Sequence, residues 1–293
     1  MTPSTTPEPT LLRLALPKGR MFDGVAELLR DAGIRIISTA RGYRPRLALD
    51  DCEVKILKPQ NIVEMLHAGS RDAGFTGADW VAELDGEAVE LLDTGLDPVR
   101  IVAAAPAELL EDGKLPERRL VVVSEYERLT RRWIERAGLD AVFVRSYGAT
   151  EVFPPEDADV IVDNTATGST LAANGLQVID EVMVSSTRLY ACRRALGDDA
   201  KRRRIEDLKL LLASVLEARA RVMVEVNAPA DRLEAVVALL PCMREATVAP
   251  LFGQSGYAVK AAVPRETLPA VVPAIKEVGG SDVVVSRVEQ IVP

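Results

Sequence analysis

The chain has 293 residues, of which 48% are hydrophobic and 4% aromatic, and its formal net charge at pH 7 is −8. This length predicts two or three globular domains, and the acidic charge with few aromatic side chains argues against nucleic-acid binding. Its first ten residues are polar, no apolar run is long enough to span a membrane, and three scattered cysteines lack metal-binding spacing; we therefore expect a cytoplasmic protein without membrane contact.

Short apolar runs alternate with helical patterns in the first third of the chain. The predicted strands are residues 11–16, 34–38, 54–57 and 73–75, and the predicted helices are residues 21–32, 61–67 and 80–84. This βαβ order predicts a layered α/β lobe with mostly parallel strand pairing.

A second α/β unit begins near Pro98. Its predicted strands are residues 99–105, 120–123, 141–145 and 160–162, and its helix is residues 125–137. A β-rich run over residues 178–191 is expected to return the chain to the first lobe. A cleft between two such lobes is the natural ligand site.

The last third of the chain has a different pattern. Residues 198–221 have apolar side chains at helical spacing and predict one long helix. After it come strands 222–226, 246–249, 258–263 and 283–288 and helices 231–240 and 268–278. Their order, βαββαβ, is that of the ferredoxin-like split unit. This segment indicates a regulatory or assembly module.

The segment from Asp163 to Leu171 follows a buried strand and begins a short helix. Backbone N–H groups at a helix start lack internal partners, and Gly168 would let a phosphoryl oxygen approach them closely. Hydroxyl donors come from Thr165, Thr167, Ser169 and Thr170. Asp163 cannot attract phosphate, so we expect it to meet a metal ion or ribose hydroxyls. An ordinary helix cap and turn would use the same residue types, and the local pattern leaves both interpretations open.

Three cations also stand where predicted strands end. Lys18 and Arg20 follow the first strand, and Lys58 follows strand 54–57. The carboxyl ends of parallel strands are where α/β folds bind ligands, and these cations would neutralise phosphate oxygens there, or simply be solvated. The single histidine, His67, lies near a predicted helix end and cannot form a multi-histidine metal site.

Four motifs together resemble the ATP phosphoribosyltransferase family, which catalyses the committed first step of histidine biosynthesis. They are Leu16-Pro17-Lys18-Gly19-Arg20, Phe75-Thr76-Gly77-Ala78-Asp79, Gly148-Ala149-Thr150-Glu151-Val152, and Ala158-Asp159-Val160-Ile161-Val162-Asp163 continuing through Thr167-Gly168-Ser169-Thr170-Leu171. They occur in the family's order and spacing, and the resemblance runs from Leu12 to Val292. The βαββαβ segment resembles the regulatory domain of the family's long form.

The resemblance implies a two-lobed, periplasmic-binding-protein-like α/β catalytic core followed by a C-terminal ferredoxin-like, ACT-like regulatory domain. Lobe I would comprise residues 1–97 with 184–212, lobe II would comprise residues 98–183 with the donor-binding loop, and the regulatory domain would comprise residues 213–293. The resemblance also implies homo-oligomers, with dimers that assemble into hexamers.

The implied reaction joins two phosphorylated substrates. N1 of the ATP adenine attacks C1 of the ribose of phosphoribosyl pyrophosphate (PRPP), pyrophosphate leaves, and phosphoribosyl-ATP forms, with Mg²⁺ required. Positive charge develops on the sugar and negative charge on the leaving group, so positioning and charge stabilisation carry most of the catalysis.

The resemblance also assigns site residues. Lys18, Arg20 and Asp163 form the catalytic set. Substrate-binding positions are Lys58, Asp79, Glu151, Thr165, Ala166, Thr167, Gly168, Ser169 and Thr170. Feedback inhibition by histidine would use Asn227, Met243, Thr247 and Asp282.

This chain departs from the family pattern at four of its positions. Gln60 and Asn61 stand where many relatives have a basic residue and an acid, and Asn164 stands where a small apolar residue is usual. Asn227 replaces an acid that would pair with the effector's ammonium group. Two readings without catalysis remain as alternatives: a two-lobed small-molecule-binding protein and an amino-acid-sensing protein.

Overall fold

The computed structural model describes residues 10–37, 42–253 and 255–292. Among these residues the chain divides into two units. The first runs as far as Lys209 except for residues 31–33, and the second consists of residues 31–33 and of the chain from Leu210 onward. The finer division into lobe I, lobe II and the regulatory domain stays a prediction.

The strands of the first unit alternate with helices over most of its length. In chain order the strands are β1 (Leu12–Pro17), β2 (Ile36–Ile37), β3 (Arg46–Leu47), β4 (Cys52–Leu57), β5 (Ala73–Gly77), β6 (Val89–Pro106), β7 (Leu120–Ser124), β8 (Ala141–Arg145), β9 (Val160–Thr165) and β10 (Leu176–Ala191). The helices are α1 (Arg20–Asp31), α2 (Pro59–His67), α3 (Ala78–Leu84), α4 (Glu127–Ala137), α5 (Ser169–Ala173), α6 (Arg193–Leu196) and α7 (Asp199–Ala220), which continues into the second unit.

Local sequence explains several helix ends. Pro59 begins α2, where its fixed φ suits a first turn and its missing N–H costs no hydrogen bond. Gly138 ends α4 in the left-handed conformation, with φ of 65°. On α1 the apolar Val25, Leu28 and Leu29 share one face and are fully buried, which holds this helix against the sheet.

Eight strands of the described residues form one mixed sheet in the order β4-β1-β5-β10-β6-β9-β7-β8. In lobe I, β1 runs parallel to β4 and β5; in lobe II, β7 runs parallel to β8 and β9. The long strands β6 and β10 lie between these halves, pair antiparallel with each other, and pass from one lobe to the other. The expected α/β class is confirmed, and the parallel pairing predicted for the first lobe holds for β1, β4 and β5. The central strands β6 and β10 add antiparallel pairs to the same sheet.

Both faces of the sheet are covered in lobe II, as parallel strands require. Val122 and Val160 pack on one face with Tyr126 and Trp133. Val123 and Ile161 pack on the other face with Leu171 of α5. The strand leading to the predicted donor-binding loop is therefore rigidly held within a core.

The second unit is an antiparallel sheet with two helices. Its strands are β11 (Arg221–Ala228), β12 (Thr247–Pro250), β13 (Tyr257–Pro264) and β14 (Ser281–Arg287), and its helices are α8 (Leu233–Ala238) and α9 (Leu268–Glu277). The sheet order β12-β13-β11-β14 and the βαββαβ chain order are those of the ferredoxin-like unit, which confirms this part of the expected fold.

Some boundaries differ from those predicted from sequence. The strand predicted over residues 99–105 extends over Val89–Pro106, and Gly95 and Asp97 within it have positive φ angles. The strand predicted over residues 34–38 covers only Ile36–Ile37, and Ser38 lies outside the described residues. No helix in the described part of the chain is long and apolar enough to cross a membrane.

Candidate active site

The loop between β9 and α5 is tightly turned and keeps its polar groups accessible. Gly168 has a φ of 80°, a backbone conformation that residues other than glycine rarely adopt. The N–H of Gly168 donates to Oγ1 of the buried Thr165 over 2.8 Å, and the hydroxyls of Thr167 and Ser169 lie 2.9 Å apart. The side chains of Ala166, Thr167, Ser169 and Thr170 are exposed. The loop therefore presents hydroxyl donors at the carboxyl end of a buried strand.

Asp163, two residues before Thr165, lies in an acidic environment. Burial raises the pKa of its carboxyl group to about 6, and the charges of Glu125 and Glu151 act in the same direction. The backbone N–H of Asn164 donates to Asp163 Oδ1 over 2.7 Å and partly offsets these effects. Glu151, in the turn after β8, is thus close to Asp163.

The cations predicted for lobe I lie at neighbouring strand ends. Pro17 of β1 is paired with Leu57 of β4, so Lys18 and Lys58 continue from adjacent strands, and both are exposed. Lys18 Nζ donates to Tyr43 Oη over 2.9 Å and lies 5.0 Å from the centre of its ring. This hydrogen bond and the ammonium charge lower the pKa of Tyr43.

A cleft of about 110 Å³ in the first unit is lined by residues from both predicted lobes. Arg20 at the start of α1 and Asp79 at the start of α3 line it from lobe I, and Tyr126 and Asn164 line it from lobe II. As the structure describes them, Lys18, Lys58, Asp163, Glu151 and residues 165–170 lie outside its lining. The cleft lining therefore contains two predicted site residues, Arg20 and Asp79. It also contains Asn164, the immediate neighbour of a third predicted site residue, Asp163.

A hydrogen-bond network forms part of the lining of this cleft. Asp79 is 5% exposed; its Oδ1 accepts a bond of 2.6 Å from the Ser185 hydroxyl and its Oδ2 accepts one of 2.8 Å from Tyr126 Oη. Asn164 Nδ2 donates to Tyr126 Oη over 3.3 Å. Burial, and then the Asp79 charge, raises the pKa of Tyr126 above its ordinary value. Sequence reasoning missed Tyr126 and Ser185, because no local pattern links residues so far apart in the chain.

Two positions that depart from the family pattern lie at the start of α2. Asn61 Nδ2 donates to Glu64 Oε2 over 3.0 Å, one helical turn along, and Gln60 is half-buried. His67 is exposed in the last turn of α2, where the sequence places it.

In the second unit, the four positions that the resemblance assigns to binding of the inhibitor histidine form two pairs. Asn227 Nδ2 donates to Asp282 Oδ2 over 3.1 Å, and the Ser281 hydroxyl donates to the same oxygen over 3.0 Å; both bonds lower the pKa of Asp282. Met243 and Thr247 instead line a cavity of about 460 Å³ beside Lys260. Within the described residues, Asn227 and Asp282 are not part of that lining.

Comparison with known proteins matches nearly the whole chain. The family model described as ATP phosphoribosyltransferase matches residues 58–214, and the model described as HisG, C-terminal domain, matches residues 218–290. An ATP phosphoribosyltransferase of Pelotomaculum thermopropionicum is 33% identical over 96% of this chain and 99% of its own length. One of Desulforudis audaxviator is also 33% identical, with the same coverage.

Among solved structures, the ATP phosphoribosyl transferase (HisG:HisZ) complex from Thermotoga maritima has a chain similar to this one. Its TM-score is 0.63 at 25% identity, over 71% of this chain and 99% of that chain. These matches support catalysis over the two non-catalytic alternatives, and the match to the C-terminal domain indicates the long form. The chain belongs to the ATP phosphoribosyltransferase family and is an enzyme of the first step of histidine biosynthesis.

Proposed function

We propose that PRPP and ATP meet at the cleft between lobes I and II, and that the assigned residues hold them there. The observation that carries this proposal is the placement of Arg20 from lobe I and Asn164 from lobe II in one cavity lining. Asn164 directly follows Asp163 and precedes the hydroxyl-rich loop. A cation therefore lies across the cleft from the start of the segment assigned to the donor.

The PRPP donor would be held by lobe II. Hydroxyl and N–H groups of residues 165–170 bind the 5-phosphate, and the left-handed Gly168 leaves room for its oxygens. The carboxylates of Asp163 and Glu151 accept hydrogen bonds from the ribose hydroxyls. Because Asp163 has a pKa of about 6, most of it is ionised at neutral pH and its charge favours the positive sugar that develops at the transition state.

The cations of lobe I would bind the remaining phosphates. Lys18, Arg20 and Lys58 neutralise phosphate oxygens of ATP and of the departing pyrophosphate, and Asp79 lies in the cleft lining with Arg20. The adenine N1 then attacks ribose C1, the bond from C1 to the pyrophosphate oxygen breaks, and phosphoribosyl-ATP forms. This displacement requires alignment and charge neutralisation, not a protein nucleophile.

Mg²⁺ would enter with the donor. Within the described ranges no group of three or more His, Cys, Asp or Glu side chains is arranged to hold a metal ion. Mg²⁺ commonly binds substrate phosphates and keeps several waters. The donor would therefore bind as the Mg²⁺ complex of PRPP.

Regulation and assembly would follow the long-form pattern. Histidine would bind the second unit and inhibit, with the Asp282 carboxylate pairing with its ammonium group. The chain would form homodimers that assemble into hexamers, and it would work in the cytoplasm with the rest of histidine biosynthesis.

The test is the ultraviolet absorbance that phosphoribosyl-ATP adds when the protein is mixed with ATP, PRPP and Mg²⁺, with pyrophosphatase present to remove product. We expect steady growth that requires both substrates. Thr170→Ala should lower kcat/KM for PRPP about ten- to a hundredfold, whereas Ser286→Ala, which removes an exposed hydroxyl in the second unit, should not. No product under these conditions would reject the proposed function.

A further inference from the structure

The hydroxyl of Tyr126 is fixed to lobe I although its backbone belongs to lobe II. Tyr126 is 1% exposed, and Oη donates to Asp79 Oδ2 over 2.8 Å. The other oxygen of Asp79 accepts a bond from the Ser185 hydroxyl, and Ser185 Oγ also accepts from the Asp79 N–H over 3.0 Å. The position of this hydroxyl is therefore determined by the buried carboxylate of Asp79, which the Ser185 hydroxyl holds in turn.

Asn164 uses its single amide nitrogen to join that hydroxyl to Asp163. One contact runs from Nδ2 to Tyr126 Oη over 3.3 Å and the other runs from Nδ2 to Asp163 Oδ1 over 3.2 Å. An amide NH₂ group has two hydrogens, so it can make both bonds at once. Asp163 Oδ1 also accepts the Asn164 backbone N–H, which makes Asn164 the source of two donors to one oxygen.

Several groups act on the orientation of Asp163, and the Thr150 side chain also hydrogen-bonds to its carboxylate. Its carboxylate feels the negative charges of Glu125 and Glu151, which favour turning it away from them. The backbone bond from Asn164 holds one oxygen, and a second donor to the same oxygen limits rotation of the group. The second donor is the side-chain amide of Asn164. Its other hydrogen-bond partner, the hydroxyl of the buried Tyr126, holds it in place.

We propose that Asn164 is a positioning residue, which transmits the anchor that Asp79 and Ser185 give to Tyr126 onward to the carboxylate of Asp163. The inference rests on the proposed function, in which Asp163 contacts the ribose of PRPP. It adds to that function an indirect effect of Asp79 on PRPP binding. The effect would pass through the hydrogen bond of Asp79 to Tyr126 and the contact of Tyr126 with Asn164. The link also makes donor binding in lobe II depend on where lobe I holds Asp79.

Tyr126→Phe and Asn164→Leu test the two ends of the link. The Phe ring keeps its packing, because Trp80 stacks on Tyr126 with ring centres 4.6 Å apart, and Asn164 is exposed, so both variants should fold. Each should raise KM for PRPP about three- to tenfold, the effect of one lost neutral hydrogen bond, and change KM for ATP less than twofold. Asn164→Asp, which keeps the shape but lacks the donor, should be at least as defective as Asn164→Leu.

Non-additivity is the readout that a merely structural role would not produce. If both residues act through one link, the double variant Tyr126→Phe/Asn164→Leu should have the same KM for PRPP as Asn164→Leu alone. The matched control is Tyr257→Phe, which removes a hydroxyl in the second unit and should leave both KM values unchanged. Multiplying effects, equal changes in both KM values, or wild-type values in both single variants would overturn the proposal.

Asp163→Asn, measured in the same series, separates the two levels of inference. If it loses PRPP binding in calorimetry while the two link variants behave as wild type, the link is wrong and the proposed donor site stands. If Asp163→Asn binds PRPP with unchanged affinity, the proposed role of Asp163 itself is wrong.

Discussion

Glu83 Oε2 accepts a hydrogen bond of 3.0 Å from the backbone N–H of Leu129, and so caps a helix that belongs to the other lobe. Glu83 Oε1 accepts the preceding N–H, that of Arg128, over 3.1 Å. The residue at the N-cap position of α4, Tyr126, makes no side-chain cap of its own. The first turn of α4 therefore obtains its acceptor from α3, and the negative charge suits the positive end of its dipole.

Loss of this cap should destabilise the fold. Glu83 is 6% exposed, so Glu83→Ala would leave two N–H groups without an acceptor in a buried place. We expect the free energy of unfolding to fall by about 1–3 kcal/mol in chemical denaturation. Glu135→Ala, on the exposed face of the same helix, should cost less than about 0.5 kcal/mol. Equal losses in the two variants would mean that Glu83 does not cap α4.

Asp163 should make stability depend on pH in a predictable direction. Burial raises its pKa from 3.8 to about 6, so the folded state binds this proton more tightly than the unfolded state does. The stabilisation is complete below pH 3.8 and is lost as pH rises through 6. At pH 8 the ionised carboxylate should therefore destabilise the fold, with an upper bound of about 3 kcal/mol.

Asp163→Asn checks this sign, because it keeps the size of the side chain and removes the charge. We expect the variant to be more stable than the wild type at pH 8, and the advantage to shrink at pH 4.5, in denaturation curves at both values. The gain in stability would accompany the loss of PRPP use, as at other sites where function keeps a charge buried. A stability difference that is the same at both pH values would contradict the raised pKa.

The sequence predicted the elements around the site better than it predicted the contacts within it. The apolar run over residues 160–162 and Gly168 placed a strand, a turn and a helix start correctly, because strand burial and glycine conformation leave local signals. Strand β6 is longer than the strand predicted from sequence. Gly95, Asp97 and Pro98 are typical of a loop, but β10 pairs with β6 on both sides of them.

The buried network could not be read from any local pattern. Tyr126 follows a strand and looks like an ordinary residue at a helix start, and Ser185 lies inside a long strand. Their common partner Asp79 lies 47 and 106 positions away. Only the fold brings these residues together, because the sheet places the end of β5 beside β10 and the start of α4 over α3. Motif resemblance gave Asp79 but not its partners.

Arg20 is the cation whose removal should most directly affect the cleft. It lines the cavity shared with Asn164, and a guanidinium group can bind phosphate oxygens in pairs. Arg20→Ala should lower kcat/KM for PRPP or ATP about ten- to a hundredfold, measured by phosphoribosyl-ATP formation. Arg132→Ala, an exposed cation on α4, should leave it within about twofold. Similar losses in both variants would indicate a general effect of net charge.

Histidine binding should depend on the carboxylate of Asp282. Asn227 is neutral here, so Asp282, which it contacts over 3.1 Å, is the acid of this pair available to meet the effector's ammonium group. Asp282→Asn keeps the shape and removes that charge, and should weaken L-histidine binding in calorimetry by roughly tenfold or more. Asp231→Asn, at an exposed position of the same unit, should bind histidine as the wild type does. Unchanged affinity in Asp282→Asn would mean that the effector binds away from this pair. The cavity that Met243 and Thr247 line would then be the next candidate site.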